Sequence, residues 1–379
     1  MDWNADVDLH LTSDQEVFRE ATVRFIRTSC PLDKVRELAD DAAGVESGYL
    51  RQAAELGWFA MLVPEEYGGG SVSGNGLSDA AIVAEERGRW LQPGPFVPAN
   101  VVADALAQGG GEEQRLKVLP AIAAGEMTAT WVIAGVNGGW DPGEAVRCQF
   151  GGGRVLLRGE ARLVQDALLA DLFLVTAASD AGLTQVLVPA GTPGLVVEPL
   201  AGLDLTRRFY QVGFDGVDLP ESALVGSPGN AAAMVERQFQ VASALTVAEM
   251  VGAMDHDFEM TLDYAKARTA FGRPIGSFQA VKHLLADTSL LLETSKAAAA
   301  AAVRAVQEGV DSAEVASMAK AYVGDSAIDL AQNCWQVFGG ISYTWEHDQH
   351  LYMRRLTTDA MLYGESAWHR ERICALHEL

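Results

Sequence analysis

Four cysteines in 379 residues, Cys30, Cys148, Cys334 and Cys374, stand far apart with no CxxC pair. That spacing excludes a zinc-ribbon motif and argues for reduced, packed thiols rather than a disulfide framework. Positive charge is also scarce. Against 51 Asp and Glu there are 28 Lys and Arg, a formal charge of −23 and a pI near 4.6. Nucleic acid and anionic membrane surfaces would repel such a chain, so neither is an expected partner, although a local basic patch could still take a small anion. No run reaches the roughly 18 uncharged residues that span a bilayer. The start, "MDWNADVDLHLT", is acidic and carries no long apolar stretch, so a cytoplasmic location is expected. His283, His347, His350 and His369 show no metal-ligand spacing, and no metal site is expected.

What is present is apolar surface, 49% of the residues, and a change of texture along the chain. Up to about 118 the pattern is helical. Thr12 and Ser13 precede "DQEVFREATVRFI" with Gln15 and Glu16 placed to complete a capping box, and Val17, Phe18, Ala21 and Phe25 form a stripe at helical spacing. "LVPEEYGGGSVSGNG" is a loop, and "SDAAIVAEERGRW" is a further helix. From 119 to 227 short runs such as "GRVLLRG", "ADLFLVTA", "TQVLVPA" and "GLVVEPL" alternate with turn residues, which predicts an antiparallel, barrel-like β domain. From 228 to 379 the pattern returns to long helices near 230–267, 278–308, 312–338 and 348–376, with the Ala-rich "KAAAAAAVRAV" favouring close packing. The expected fold is thus α+β: an N-terminal helical domain, a middle β-barrel-like domain and a C-terminal four-helix bundle.

Three stretches carry chemistry. In "ARTAFGRPIGSFQAVKHLLAD", Arg268 ends a helix before a Gly/Pro break, where a guanidinium can pair with phosphate. Phe271 beside Gly272 offers a flat apolar face, and Gln279 adds an amide. In "QVFGGISYTWE", Gln336 precedes Gly339–Gly340, a pair that lets backbone approach a ligand. The third is the entry loop "VPEEYGGG".

These three stretches, in this order, resemble the acyl-CoA dehydrogenase family over nearly the whole chain. The resemblance implies FAD as cofactor and an acyl-CoA thioester as substrate. It also implies electron-transfer flavoprotein as electron acceptor if the chain is redox active, and a homo- or hetero-oligomer with another chain of the same kind. By that resemblance, Arg268, Phe271, Gln279, Gln336, Gly339 and Gly340 hold the ADP part of FAD across a subunit interface. The stretches "LDLTRRF" and "WEHDQHLYMRR" resemble actinobacterial members that act on bulky thioesters such as sterol side chains.

The chain departs from the family at its own flavin and base. Ala134 and Gly135 stand where a Thr and a Glu are expected, and Leu163 and Gln165 where a Trp and a Thr would touch the flavin ring. The reaction needs a carboxylate above the α-carbon of the thioester. Aligned on Tyr363, Gly364 takes the position of that carboxylate and Glu365 follows one residue late, a rotation of about 100° on a helix. At the alternative position the chain has Ala242 and Ser243, with Glu249 two turns further on. Glu365 and Glu249 are therefore the candidate bases. Three readings follow: a catalytically degenerate subunit completing a partner's FAD site, a self-sufficient flavoenzyme using Glu365 or Glu249, and a scaffold for non-redox chemistry.

Overall fold

The computed structural model describes residues 11–41, 43–46 and 48–378. Helices α1 (Ser13–Ser29), α2 (Leu32–Glu37), α3 (Tyr49–Glu55), α4 (Gly76–Arg89), α5 (Phe96–Gly109) and α6 (Glu112–Ala123) come first. Thr12 and Gln15 close the expected capping box on α1. Its buried side is Gln15, Thr22 and Ile26 rather than Val17, which faces solvent. Gln15 turns inward because its amide donates to Asp79 of α4 at 2.8 Å.

The middle region holds β1 (Ala129–Val132), β2 (Val146–Gly151), β3 (Arg154–Gln165), β4 (Leu172–Ser179), β5 (Gly182–Pro189), β6 (Leu195–Leu200), β7 (Phe209–Pro220) and β8 (Leu224–Val225). Here the sequence-based expectation of an antiparallel barrel is corrected. The strands form one open, mixed sheet in the order β6-β7-β3-β2-β4-β5-β8, with β1 beside β4. β1 runs parallel to β4, and β2 meets β4 in parallel at Arg147 and Ala178. Closure would need β6 to pair with β8, but β8 is two residues long and β6 presents mostly solvent-facing side chains. The sheet twists around its own apolar core, which includes Val155, Leu157, Phe173 and Val186.

After the sheet come α7 (Ala232–Ala267), the short strands β9 (Thr269–Ala270) and β10 (Arg273–Pro274), α8 (Gln279–Glu308), α9 (Ser312–Phe338), α10 (Gln349–Met361) and α11 (Ser366–Leu376). The single last helix expected from the sequence is broken at 362–365, so two short helices stand in place of the bundle's fourth. The 36-residue α7 is buried continuously from Gln238 to Met254, because helices pack on every side of it. It crosses α4 at backbone contact: a Cβ on Gly88 would lie 1.7 Å from the Glu249 carbonyl, and one on Gly252 would lie 1.8 Å from that of Glu85. The helices before and after the sheet share one apolar core. No described helix is long and apolar enough to cross a membrane.

Candidate active site and lent surface

The break between α10 and α11 fixes the geometry around the aligned base position. Tyr363 and Gly364 both have positive φ, 57° and 110°. Lys320 of α9 holds the turn by donating from Nζ to the carbonyls of Ala360 (2.9 Å) and Gly364 (3.0 Å). Burial pushes the Lys320 amine down to about 7. A Cβ on Gly364 would lie 2.3 Å from Trp368 and 3.0 Å from His369 Nε2, so that position has no room for any side chain. Glu365 starts α11 and is exposed to solvent.

Aromatic rings fill the space beside this turn. Tyr363 stacks on Trp131 at 6.1 Å and lies 5.3 Å from Trp140; Phe239 sits 5.1 Å from Trp131 and 5.2 Å from Trp368. Trp131 donates to Thr176 Oγ1 at 3.0 Å, and Trp368 to Asp141 at 3.3 Å. Nearby, Ala134 and Gly135 are buried and bring no side-chain donor, and Leu163 is strained at φ 55°. Gln165 donates to the Gly94 carbonyl, while its Oε1 has no partner. These residues do not fit a flavin ring: at positions 163 and 165 neither the stacking indole nor the hydroxyl donor is there.

Glu249, the other candidate base, is 0% exposed and belongs to an interior ion network. It accepts from Arg207 Nη2 at 2.6 Å and lies 3.5 Å from Arg355 Nη1. Arg207 also pairs with Asp359 at 2.9 Å, and Arg355 with Asp204 at 2.8 Å. Burial raises the pKa of Glu249, but Arg207, Arg355 and Arg87 outweigh it and leave the carboxylate below its ordinary range. Asp359 is pushed up to about 6, by burial first. The sequence reading did not anticipate this network. Asp204 and Arg207 come from "LDLTRRF" and Arg355 from "YMRR", so the two stretches singled out for their resemblance meet each other in the interior. The available signal was two basic pairs in otherwise apolar surroundings, which need buried acids.

The remaining candidates sit at the far end of α7. Arg268 caps that helix, and β9 pairs with β10 across a two-residue turn in which Phe271 and Gly272 have φ of 52° and 79°. Positive φ at both central residues is the hairpin turn that follows strand twist. It holds Phe271 95% exposed, with Phe278 edge-on at 6.3 Å and Arg273 stacked over Phe278 at 4.1 Å. Gln279, first residue of α8, and Gln336, near the end of α9, are exposed, and Gly339 ends α9 at φ 64° before Gly340. Tyr264 packs on Phe338 at 4.9 Å, so Arg268, Phe271, Gln279, Gln336, Gly339 and Gly340 gather at one end of the bundle. Glu249 lies 19 residues back along the same helix, about 28 Å away at 1.5 Å per residue. The structure brings the six together and places both glutamates elsewhere.

Residues 12–126 match the model of the acyl-CoA dehydrogenase N-terminal domain, and residues 231–375 that of its C-terminal domain. The chain is 28% identical to acyl-CoA dehydrogenase IpdE2 of Mycolicibacterium smegmatis, over 93% of this chain and 96% of that protein. It is 33% identical to acyl-CoA dehydrogenase FadE34 of Mycobacterium tuberculosis, over 85% of this chain and 41% of that longer protein. Among solved structures, the ChsE4-ChsE5 complex of Mycobacterium tuberculosis superposes with a TM-score of 0.89 at 24% identity, covering 98% of this chain and 99% of the other. A variant of the Tcur3481-Tcur3483 steroid acyl-CoA dehydrogenase gives 0.88 at 24% identity, covering 96% and 97%. At that identity the two structures speak for the fold alone. The two family models together span more than half of the sequence, and the chain belongs to the acyl-CoA dehydrogenase family, whose fold implies FAD.

Proposed function

We propose that this chain is a catalytically silent subunit of a heteromeric acyl-CoA dehydrogenase, one that completes the FAD site of an unlike partner. The observation that carries this reading is the contrast at Gly364. The turn that would present the base is closed by Trp368, while a hairpin at the far end of α7 presents Phe271 to solvent. An exposed aromatic on a preorganised turn has ordering cost already met and is suited to entering another molecule's site. Arg268 beside it supplies a fork for a pyrophosphate, and Gln279, Gln336 and the Gly339–Gly340 backbone supply amide contacts.

Glu249 does not serve as the base in this reading. A carboxylate held ionised by two buried guanidiniums is a weak proton acceptor, and it has no free approach to a substrate carbon. Glu365 faces away from the aromatic interior. When bound in the partner, FAD supplies the hydride acceptor for desaturating an acyl-CoA thioester, and this chain's part is to bind and orient the cofactor. The partner is another acyl-CoA dehydrogenase-like chain, with electron-transfer flavoprotein as acceptor of its electrons. The resemblance of "LDLTRRF" and "WEHDQHLYMRR" to members acting on bulky thioesters is the ground for a bulky, sterol-derived acyl group. A cytoplasmic location and division into units at 1–118, 119–227 and 228–379 complete the proposal.

Purification tests it. The chain alone is expected to be colourless and the co-expressed complex yellow, with a flavin band at about 450 nm that an acyl-CoA bleaches. A lone chain that retains flavin and turns over, with turnover abolished by Glu365→Gln or Glu249→Gln, would contradict it.

A further inference from the structure

The connection 339–348 joins α9 to α10 and begins with the Gly339–Gly340 pair. Its own bonds are short-range. Ser342 Oγ donates to the Gly339 carbonyl at 2.6 Å, and Thr344 Oγ1 to the Ile341 carbonyl at 2.8 Å. Trp335 meets Tyr343 edge-on at 4.9 Å, and Trp345 stacks on His350 at 5.2 Å. A Cβ on Gly339 or Gly340 would meet nothing within 4 Å, so nothing packs on that side of the backbone.

A single side chain ties this connection to a distant part of the sequence. Arg36 of α2 donates from Nη1 to the Trp345 carbonyl at 2.7 Å, and from Nε and Nη2 to Asp348 Oδ1 at 2.8 and 2.6 Å. Among the described residues, no other group outside α9, α10 and the connection itself hydrogen-bonds to 339–348. The Arg36 side chain is 17% exposed, so its charge-assisted bonds are only partly screened. Its base is fixed as well. Val35 beside it is buried, and Arg208, just before β7, donates through Nη2 to the carbonyls of Leu38 and Ala39 at 2.6 and 2.7 Å. The tie therefore runs from the sheet, through the segment that follows α2, to the end of the bundle that carries Gly339–Gly340.

From this geometry we infer that Arg36 is a positioning residue of the lent surface: by fixing Trp345 and Asp348 it holds the connection that presents the Gly339–Gly340 backbone to the cofactor. The inference rests on the reading that this end serves a partner's FAD. Arg36 hydrogen-bonds to none of Arg268, Phe271, Gln279, Gln336, Gly339 and Gly340, so it acts through the backbone of the connection. A guanidinium is needed, because the flat fork spans a carbonyl and a carboxylate together and an ammonium does not.

Titration of FAD into the co-expressed complex, stripped of flavin beforehand, tests the inference. Arg36→Ala should weaken FAD by at least about tenfold, and Arg36→Lys should recover only part of that loss. Asp348→Asn keeps an acceptor of the same shape and should weaken FAD less than Arg36→Ala does. Working well below the melting temperature of each variant separates positioning from stability, since a merely stabilising contact would lower melting and leave FAD affinity unchanged. Amide hydrogen exchange on the lone chain gives a readout without cofactor: residues 340–347 should exchange faster in Arg36→Ala, with α8 unaltered. Unchanged exchange there would overturn the inference. So would Arg36→Ala binding FAD within about twofold of the parent while Arg268→Ala loses it. If both variants keep FAD, the reading of a lent surface fails as well.

Discussion

The turn at 362–365 and the turn at 270–273 are each built on two consecutive residues of positive φ, Tyr363–Gly364 in one and Phe271–Gly272 in the other. One is sealed inside aromatic rings and held by a buried lysine; the other carries its aromatic ring into solvent. The same local backbone device therefore closes a site in one place and offers a surface in the other, and tertiary surroundings decide which. In an enzyme complete in itself, both ends of the flavin-binding apparatus would be kept. On the proposed reading, only the end that would serve a neighbour keeps its chemistry.

The comparison can be broken most forcefully in the interior. Arg207→Met leaves Glu249 and Asp359 facing each other without their shared cation. It should cost about 3–5 kcal/mol, read as a lower midpoint in chemical denaturation; a loss below about 1 kcal/mol would mean that the network does not hold these elements together. Next comes the closed turn. Gly364→Ala forces a Cβ into Trp368 and an L side chain into φ 110°, and should cost about 2–3 kcal/mol. Combined with Trp368→Leu, the two losses should fall short of their sum by about 1 kcal/mol or more. Strict additivity would show that the two do not share one volume.

A smaller effect is expected with pH. The folded-state pKa of Lys320 is depressed to about 7 from 10.5, so between those values the unfolded chain binds more protons and stability rises with pH. Lys320→Met should flatten the rise in melting temperature between pH 7 and 9; an unchanged slope would mean that the amine is charged in the folded chain. At the hairpin the stability effect should be smallest of all. Phe271→Ala should alter unfolding of the lone chain by less than about 0.5 kcal/mol, yet lower flavin retention in the complex by at least about tenfold.

Much of the fold was legible where the causes are local. The capping residues of α1 and the Ala-rich α8 follow from propensity and local hydrogen bonding. Barrel closure was not, because it depends on whether β6 and β8 meet, and alternation within a strand carries no information on its distant partner. Nor was the break before α11. Of "LYGES" only Gly364 argues against a helix, and the turn is secured by Lys320, 44 residues earlier. At the candidate site, the motif around Arg268 was readable as a contiguous stretch. The ion network was not, since Arg207, in the loop between β6 and β7, meets Asp359 of α10 only through tertiary packing. Leu163 and Gly364 stood out in the sequence as departures from a family pattern, but that Trp368 fills the vacated volume required coordinates.

Flavin stoichiometry of the purified heteromeric complex addresses the central claim most directly. One FAD per pair of unlike chains, lost when Arg268 and Phe271 of this chain are replaced by alanine, is the predicted result. Two FAD per pair, or flavin retained undiminished by the double variant, would contradict it.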